Sequence, residues 1–268
     1  MTELNSSIST SSLGELLGNA LTSTPCVNIR KTAKVKVAAG MLVQYLETFT
    51  DSVVVRDETN PIGVVGGREI IRGVYKNPAS DFFEMNQVAD IVDSRLNVVT
   101  SDTSLNKLIS LWKEVGRAFA IVDLGNDDYS VISVKKLLEI GVNSTSEFHI
   151  SEIPKKKMIT CSKDATFGEI MKLMLENKTR KILLEETNQF INDRIIIETI
   201  EKMDYLINTE NFLDIPASVT SPEEAKVVSD DLSLSDISKM MFEMSHPLVI
   251  HEDSPISPWD ICMVLDKN

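Results

Sequence analysis

The apolar residues of this chain fall into a pattern that recurs four times. Each instance begins with an apolar anchor followed by apolar residues three, four and seven places later, the spacing of one helix face. The four stripes are Val35/Ala38/Ala39/Leu42, Leu105/Leu108/Ile109/Trp112, Phe167/Ile170/Met171/Met174 and Leu234/Ile237/Met241, with Ser238 the one polar departure. Ser104, Thr166 and Ser233 stand just before three of the anchors, where a hydroxyl can cap the helix N-terminus; Lys34 holds that place in the first. After each helix comes a β-branched or apolar run: Val53 to Val55, Phe119 to Val122, Ile182 to Leu184 and Leu248 to Ile250. Polar turns follow at 57–60, 125–128, 185–188 and 252–254. Each leads into a second strand and another helix start.

Equivalent positions fall at Gly66, Ser133, Asn192 and Ser257, spacings of 67, 59 and 65 residues. Four segments in register are an internal repeat. The strand–strand–helix ends and the alternating helices make the class α/β or α+β. A unit of this size buries too little apolar surface alone, so the units are expected to pair. The expected organisation is a first pair at 15–140 (repeats 15–80 and 81–140), a linker at 141–150, and a second pair at 151–268 (repeats 151–207 and 208–268). The Ser/Thr-rich segment 1–14 is expected to be disordered.

Charge and cysteine content narrow the function. A net charge of -13 argues against a nucleic-acid-binding face and disfavours anionic membrane, while leaving room for a local basic patch. Three cysteines (Cys26, Cys161 and Cys262), without CxxC spacing, read as reduced thiols of an intracellular protein. The opening MTELNSSISTSS has neither the basic nor the apolar region of a signal peptide, and no apolar run approaches the ~18 residues of a membrane span. A cytoplasmic location is expected.

The segments PIGVVGGREI (61–70) and SPISPWDI (254–261) resemble the Gly-apolar-apolar-Thr/Ser-x-x-Asp-apolar signature of CBS domains. TSDTSLNKLISLW (100–112) and VSDDLSLSDISKMM (228–241) resemble that family's strand-then-capped-helix opening. The resemblance implies four CBS repeats, β-α-β-β-α units forming two tandem Bateman modules, whose clefts bind adenosine-containing ligands. In the family the signature Thr/Ser and Asp hold ligand hydroxyls, and basic residues before the middle strand meet phosphates. Carried over residue by residue, the fourth repeat keeps both as Ser257 and Asp260, the first has Gly66 and Glu69, the second Ser133 and Lys136, and the third Asn192 and Ile195. The resemblance thus implies a site of Ser257 and Asp260 with Arg180 and Lys181 from the facing repeat and His246 at the rim. A second site would use Glu69 with Arg68 and Arg117.

Plainer readings stand beside these. Asp260 also reads as a first-turn acid favoured by the helix dipole, and Arg180 and Lys181 as a pair at a helix C-terminus. His246 and His251 lack metal-ligand spacing and read as structural; Trp112 reads as core. Trp259 reads as a packed or partly exposed aromatic, and Met240, Met241 and Met244 as helix packing before any partner surface. The run KKK at 155–157 reads as solvated, and GVVGG at 63–67 lacks the order of a phosphate-binding P-loop. No nucleophile–base pair, metal set or paired-acid motif is present, so no catalysis, no metal and no obligatory cofactor are expected. The expectation is a sensor of AMP, ADP, ATP or S-adenosylmethionine that signals to an unidentified effector protein, with a homodimer as another expected partner. The rival expectation is a scaffold whose repeats have lost their ligands.

Overall fold

In the computed structural model, residues 8–44, 52–202 and 209–267 are described. The fourfold pattern becomes four small sheets. In the first repeat β1 (Asn28–Arg30) runs parallel to β2 (Ser52–Asp57), and β2 is antiparallel to β3 (Asn60–Gly66). The second repeats this with β4 (Val98–Val99), β5 (Phe119–Gly125) and β6 (Asp128–Ser133). The third uses β7 (Thr160–Cys161), β8 (Lys181–Leu184) and β9 (Gln189–Asn192), with β10 (Glu223–Glu224) added antiparallel to β9. The fourth has β11 (Lys226–Val227), β12 (Val249–His251) and β13 (Ser254–Ile256) in that order. The hairpin turns place Glu58, Asn126, Asp127, Glu186, Glu252 and Asp253 at positive φ, the left-handed conformation that tight strand reversals require.

Between the first two strands of each repeat lies the striped helix: α3 (Val35–Gln44), α6 (Leu105–Val115), α8 (Phe167–Glu176) or α10 (Leu234–Glu243). All four stripes are buried, Ser238 included. Thr166 and Ser233 cap as expected, each accepting from the amide three residues on. Ser104 does not: its hydroxyl donates to Asn106 Oδ1 at 2.6 Å instead. The last strand of each repeat runs into α4 (Gly67–Lys76), α7 (Val134–Val142), α9 (Asp193–Lys202) or α11 (Pro258–Leu265).

A second fourfold feature closes the repeats. The residue before each helix anchor forms an antiparallel bridge with an outlying segment: Lys34 with Gln87, Ser104 with Ser12, Thr166 with Pro216 and Ser233 with His149. Each strap then buries an apolar residue, Val88, Leu13, Ala217 or Ile150. The segment before repeat one straps repeat two, and the one before repeat two straps repeat one. The third and fourth repeats exchange straps in the same way.

Two of the straps lie in segments expected to be disordered or linking. The segment expected to be disordered is ordered from Ile8 onward, because Ser12 and Glu15 form a reciprocal cap on α1 (Leu13–Leu17) and Leu13 is fully buried; residues 1–7 lie outside the described set. The expected linker begins inside α7 and ends in a strap, with Ile150 donating to the Leu232 carbonyl. The expected boundary at 207/208 lies outside the described residues.

The chain divides into two compact units, each assembled from separated stretches. One comprises Met1–Cys26, Arg95–Lys156 and Val227–Asn268; the other comprises Val27–Ser94 and Lys157–Lys226. In the first, α7 crosses α10 and α11 so closely that a Cβ on Gly141 would lie 2.2 Å from Ser238 Oγ. Ser238 interrupts its apolar stripe because a larger side chain has no room at this crossing. In the second, α9 packs on α3 and α4. There Arg194 donates to the Leu42 carbonyl near the end of α3, and Gly67 lets α4 approach Asp193.

Glu201, on α9, shows the cost of this packing. Its Oε1 is buried without a hydrogen-bond partner among the described residues. Burial raises its carboxyl above the usual range, the Lys36 charge opposes that rise and Glu84 adds to it. A carboxyl raised in the folded state contributes stability below its unfolded pKa and loses it as pH rises through the folded value. Glu201→Gln is therefore expected to raise the melting temperature by a few degrees at pH 7 and by much less at pH 4. Thermal unfolding at the two pH values checks this.

Candidate functional site

The repeat-equivalent positions all lie at strand-to-helix junctions. Gly66, Ser133 and Ser257 are N-cap residues with nearly the same extended backbone, at φ -130°, -120° and -120°. Asn192 ends β9 and its Oδ1 accepts from the Ile195 amide at 2.8 Å. The same local geometry, a strand end running directly into a helix N-terminus, therefore recurs four times with different side chains.

In the fourth repeat Asp260 sits in the first turn of α11, 5% exposed. Its Oδ2 accepts from the Ser257 amide at 2.9 Å and from the Ser257 hydroxyl at 3.0 Å. Its Oδ1 accepts from Lys156 Nζ. The backbone amide of Lys156 in turn donates to Ser254 Oγ at 2.9 Å, which pins the lysine to β13. The run 155–157 is thus not simply solvated. Lys155 makes an exposed pair with Glu252 at 2.5 Å, but Lys156 reaches a buried carboxylate because Ser254 holds its backbone there.

The first repeat has a comparable arrangement. Glu69 is 2% exposed and its Oε2 accepts from the Gly66 amide at 3.0 Å. Arg68 donates to Glu69 Oε1 at 3.1 Å and to Asp93 Oδ2 at 2.9 Å. In the third repeat the acid is one place into the helix. Asp193 takes Arg180 side-on, Nε to Oδ2 at 2.7 Å and Nη2 to Oδ1 at 3.2 Å. In the second, Lys136 occupies the acid's position, buried and paired with Glu139 at 2.7 Å. Three of the four helix starts therefore carry a buried carboxylate paired with a cation, as a charge removed from water requires.

The expected site residues are divided between the two units. Ser257, Asp260, His246 and Arg117 belong to the first; Arg180, Lys181, Glu69 and Arg68 belong to the second. Ser257 and Asp260 are brought together, as are Glu69 and Arg68. Arg180 is engaged by Asp193, and Lys181 faces Asn192 across the β8–β9 pairing. His246 is buried just after α10, and Arg117 is half-buried with its amide on the Trp112 carbonyl. His251 is buried beside Asp230, Nε2 to Oδ1 at 2.7 Å. Among the described residues no group of three or more His, Cys, Asp or Glu could hold a metal ion. No described helix is long and apolar enough to cross a membrane.

Asp93, Asp193 and Glu139 are members of these networks that sequence reasoning did not single out, and Lys156 was read only as part of a solvated run. Asp193 directly follows the equivalent position Asn192, and that adjacency was the available signal. Lys156 and Asp260 are 104 residues apart, and nothing local links them.

Comparison with known proteins agrees with this architecture. Residues 150–192 match the family model of the CBS domain. A protein from Methanocaldococcus jannaschii, described as a proposed archaeal homolog of g-AMPK, superposes with a TM-score of 0.75 at 10% identity, covering 94% of this chain and 99% of that one. An uncharacterized conserved protein from Pyrococcus horikoshii gives 0.56 at 13% identity, covering 91% and 97%. No curated protein sequence matches. The CBS-domain match falls on the third repeat, and the fold of the whole chain is shared with the Methanocaldococcus jannaschii protein.

Proposed function

We propose that this chain is a regulatory sensor of an adenine nucleotide or S-adenosylmethionine, without a catalytic step of its own. The observation that carries the reading is the start of α11, where a serine hydroxyl and a buried, oriented carboxylate stand three residues apart. A carboxylate accepts both hydroxyls of a ribose, and the positive end of the helix dipole at the start of α11 favours anionic groups. The sequential pairs 15–140 and 151–268 are the modules of this proposal. The output passes to an effector protein in the cytoplasm. The fold shared with the Methanocaldococcus jannaschii protein supports a regulatory role.

The test is thermal unfolding with AMP, ADP, ATP and S-adenosylmethionine, on the natural protein and on Asp260→Asn. Ligand at ~100 Kd stabilises by ~2.7 kcal/mol. A shift with one ligand that disappears in Asp260→Asn is the expected result. A second reading, a scaffold without ligand, draws on Lys136 and Ile195 standing where a ribose-binding acid is needed. It predicts no shift with any of the four.

A further inference from the structure

Resting on the ribose reading of Asp260, we propose that Lys156 is a built-in competitor for that carboxylate, released only when a ligand takes its place. A carboxylate offers about four acceptor sites. On Asp260 the Ser257 amide and hydroxyl occupy two on Oδ2, and Lys156 Nζ occupies one on Oδ1. One remains, whereas a ribose diol donates two hydrogen bonds. One existing donor must therefore leave.

The three donors are not equally free to go. The Ser257 amide is fixed by the turn that begins α11. The Ser257 hydroxyl lies on Oδ2, which the amide also occupies. Lys156 is the mobile one: its side chain is 49% exposed against 6% for Asp260, and it ends a flexible four-carbon stem. An ammonium regains strong hydration on release, so its departure costs little beyond the ion pair. Its amide stays on Ser254 Oγ, so the freed charge remains tethered beside the site. A bare nucleoside must displace the lysine and gains nothing from it. A phosphorylated nucleotide displaces it and then meets a positive charge within a side chain's length. Lys156 thus favours phosphorylated over unphosphorylated ligands.

The proposal is tested by isothermal titration of the full chain with adenosine and with ATP, comparing the natural protein, Lys156→Met and Lys156→Arg. Adenosine carries no phosphate, so it reads competition alone. Lys156→Met is expected to bind adenosine about fivefold more tightly, the scale of a partly exposed ion pair, and ATP more weakly. Lys156→Arg keeps the competitor and should show no gain for adenosine. A Lys156→Met protein that binds adenosine no more tightly than the natural protein overturns the proposal while leaving the sensor reading intact. Absence of binding by either ligand to the natural protein defeats the sensor reading and this proposal with it. A measurement needing no substitution accompanies these. Raising ionic strength from 0.05 M to about 0.5 M weakens an exposed ion pair, so adenosine affinity of the natural protein should rise with salt. A salt-independent or falling affinity counts against the proposal even if Lys156→Met does not fold.

Discussion

Trp112→Ala is expected to lower the unfolding free energy by about 3–5 kcal/mol, the range for deleting a fully buried aromatic. Trp112 is 0% exposed and lies in the core of the first unit, whose members come from the N-terminal strap, the second repeat and the fourth. Its indole Nε1–H is buried without a hydrogen-bond partner among the described residues. That orphan donor offsets part of the packing gain, by about 1–3 kcal/mol. Trp112→Phe removes the donor while filling much of the space, so it should cost far less, about 1 kcal/mol. Urea unfolding of the two variants separates the contributions. Equal losses in both would mean that cavity formation is not the dominant cost. Because the unit is assembled from three separated stretches, loosening at Trp112 should also expose amides of α10 and α11 to hydrogen exchange, although they lie more than a hundred residues further along the chain.

Gly63→Val should cost about 3 kcal/mol by the opposite mechanism, overpacking. Gly63 lies in β3 beside the strap that ends the first repeat. A Cβ there would sit 2.5 Å from Val92 Cγ2 and 2.6 Å from the Asp93 carbonyl oxygen, and the second neighbour is backbone that cannot swing aside. The adjacent bridge, Val64 with Asp93 through two 3.0 Å bonds, would be forced open. Asp93 would then move off Arg68, loosening the pair that Arg68 also makes with Glu69. Gly125→Ala is a control for glycine removal as such: no atom lies within 4 Å of its Cβ position, and the loss there comes only from φ +83°, about 1–2 kcal/mol. Denaturant midpoints of the two variants check the difference. If Gly63→Val is no worse than Gly125→Ala, strap and strand are not in the contact described.

The residues that failed as sequence signals share a cause. The hydroxyl of Ser104 was expected to cap α6, yet it donates to Asn106 Oδ1, a side-chain acceptor two residues on that competes with the helix amides. The straps themselves were hidden in segments that look like linkers. Three of the four share a form, an apolar residue followed by a small residue and an acid, visible as LGE at 13–15, VAD at 88–90 and ISE at 150–152. It spans one helical turn and is too short to outweigh a Ser/Thr-rich or turn-rich neighbourhood. Lys156 was read as solvated because charge runs are ordinarily exposed, and its neighbour Lys155 is.

What the sequence determined by itself was whatever depends on local periodicity. The four buried stripes, the hairpins with their turns, the four equivalent helix starts and the register between repeats all follow from spacings of two and 3.6 residues. Even the exception at Ser238 was visible as an exception. Its reason was not, since the close approach of Gly141 involves a helix about a hundred residues away. Tertiary structure alone decided which repeats share a core, which segment straps which helix, and which cation neutralises each buried carboxylate. Each of these is a choice among partners that are chemically alike and distant in sequence. Such choices are settled by close packing and by the need to pair every buried charge, and neither leaves a periodic trace along the chain.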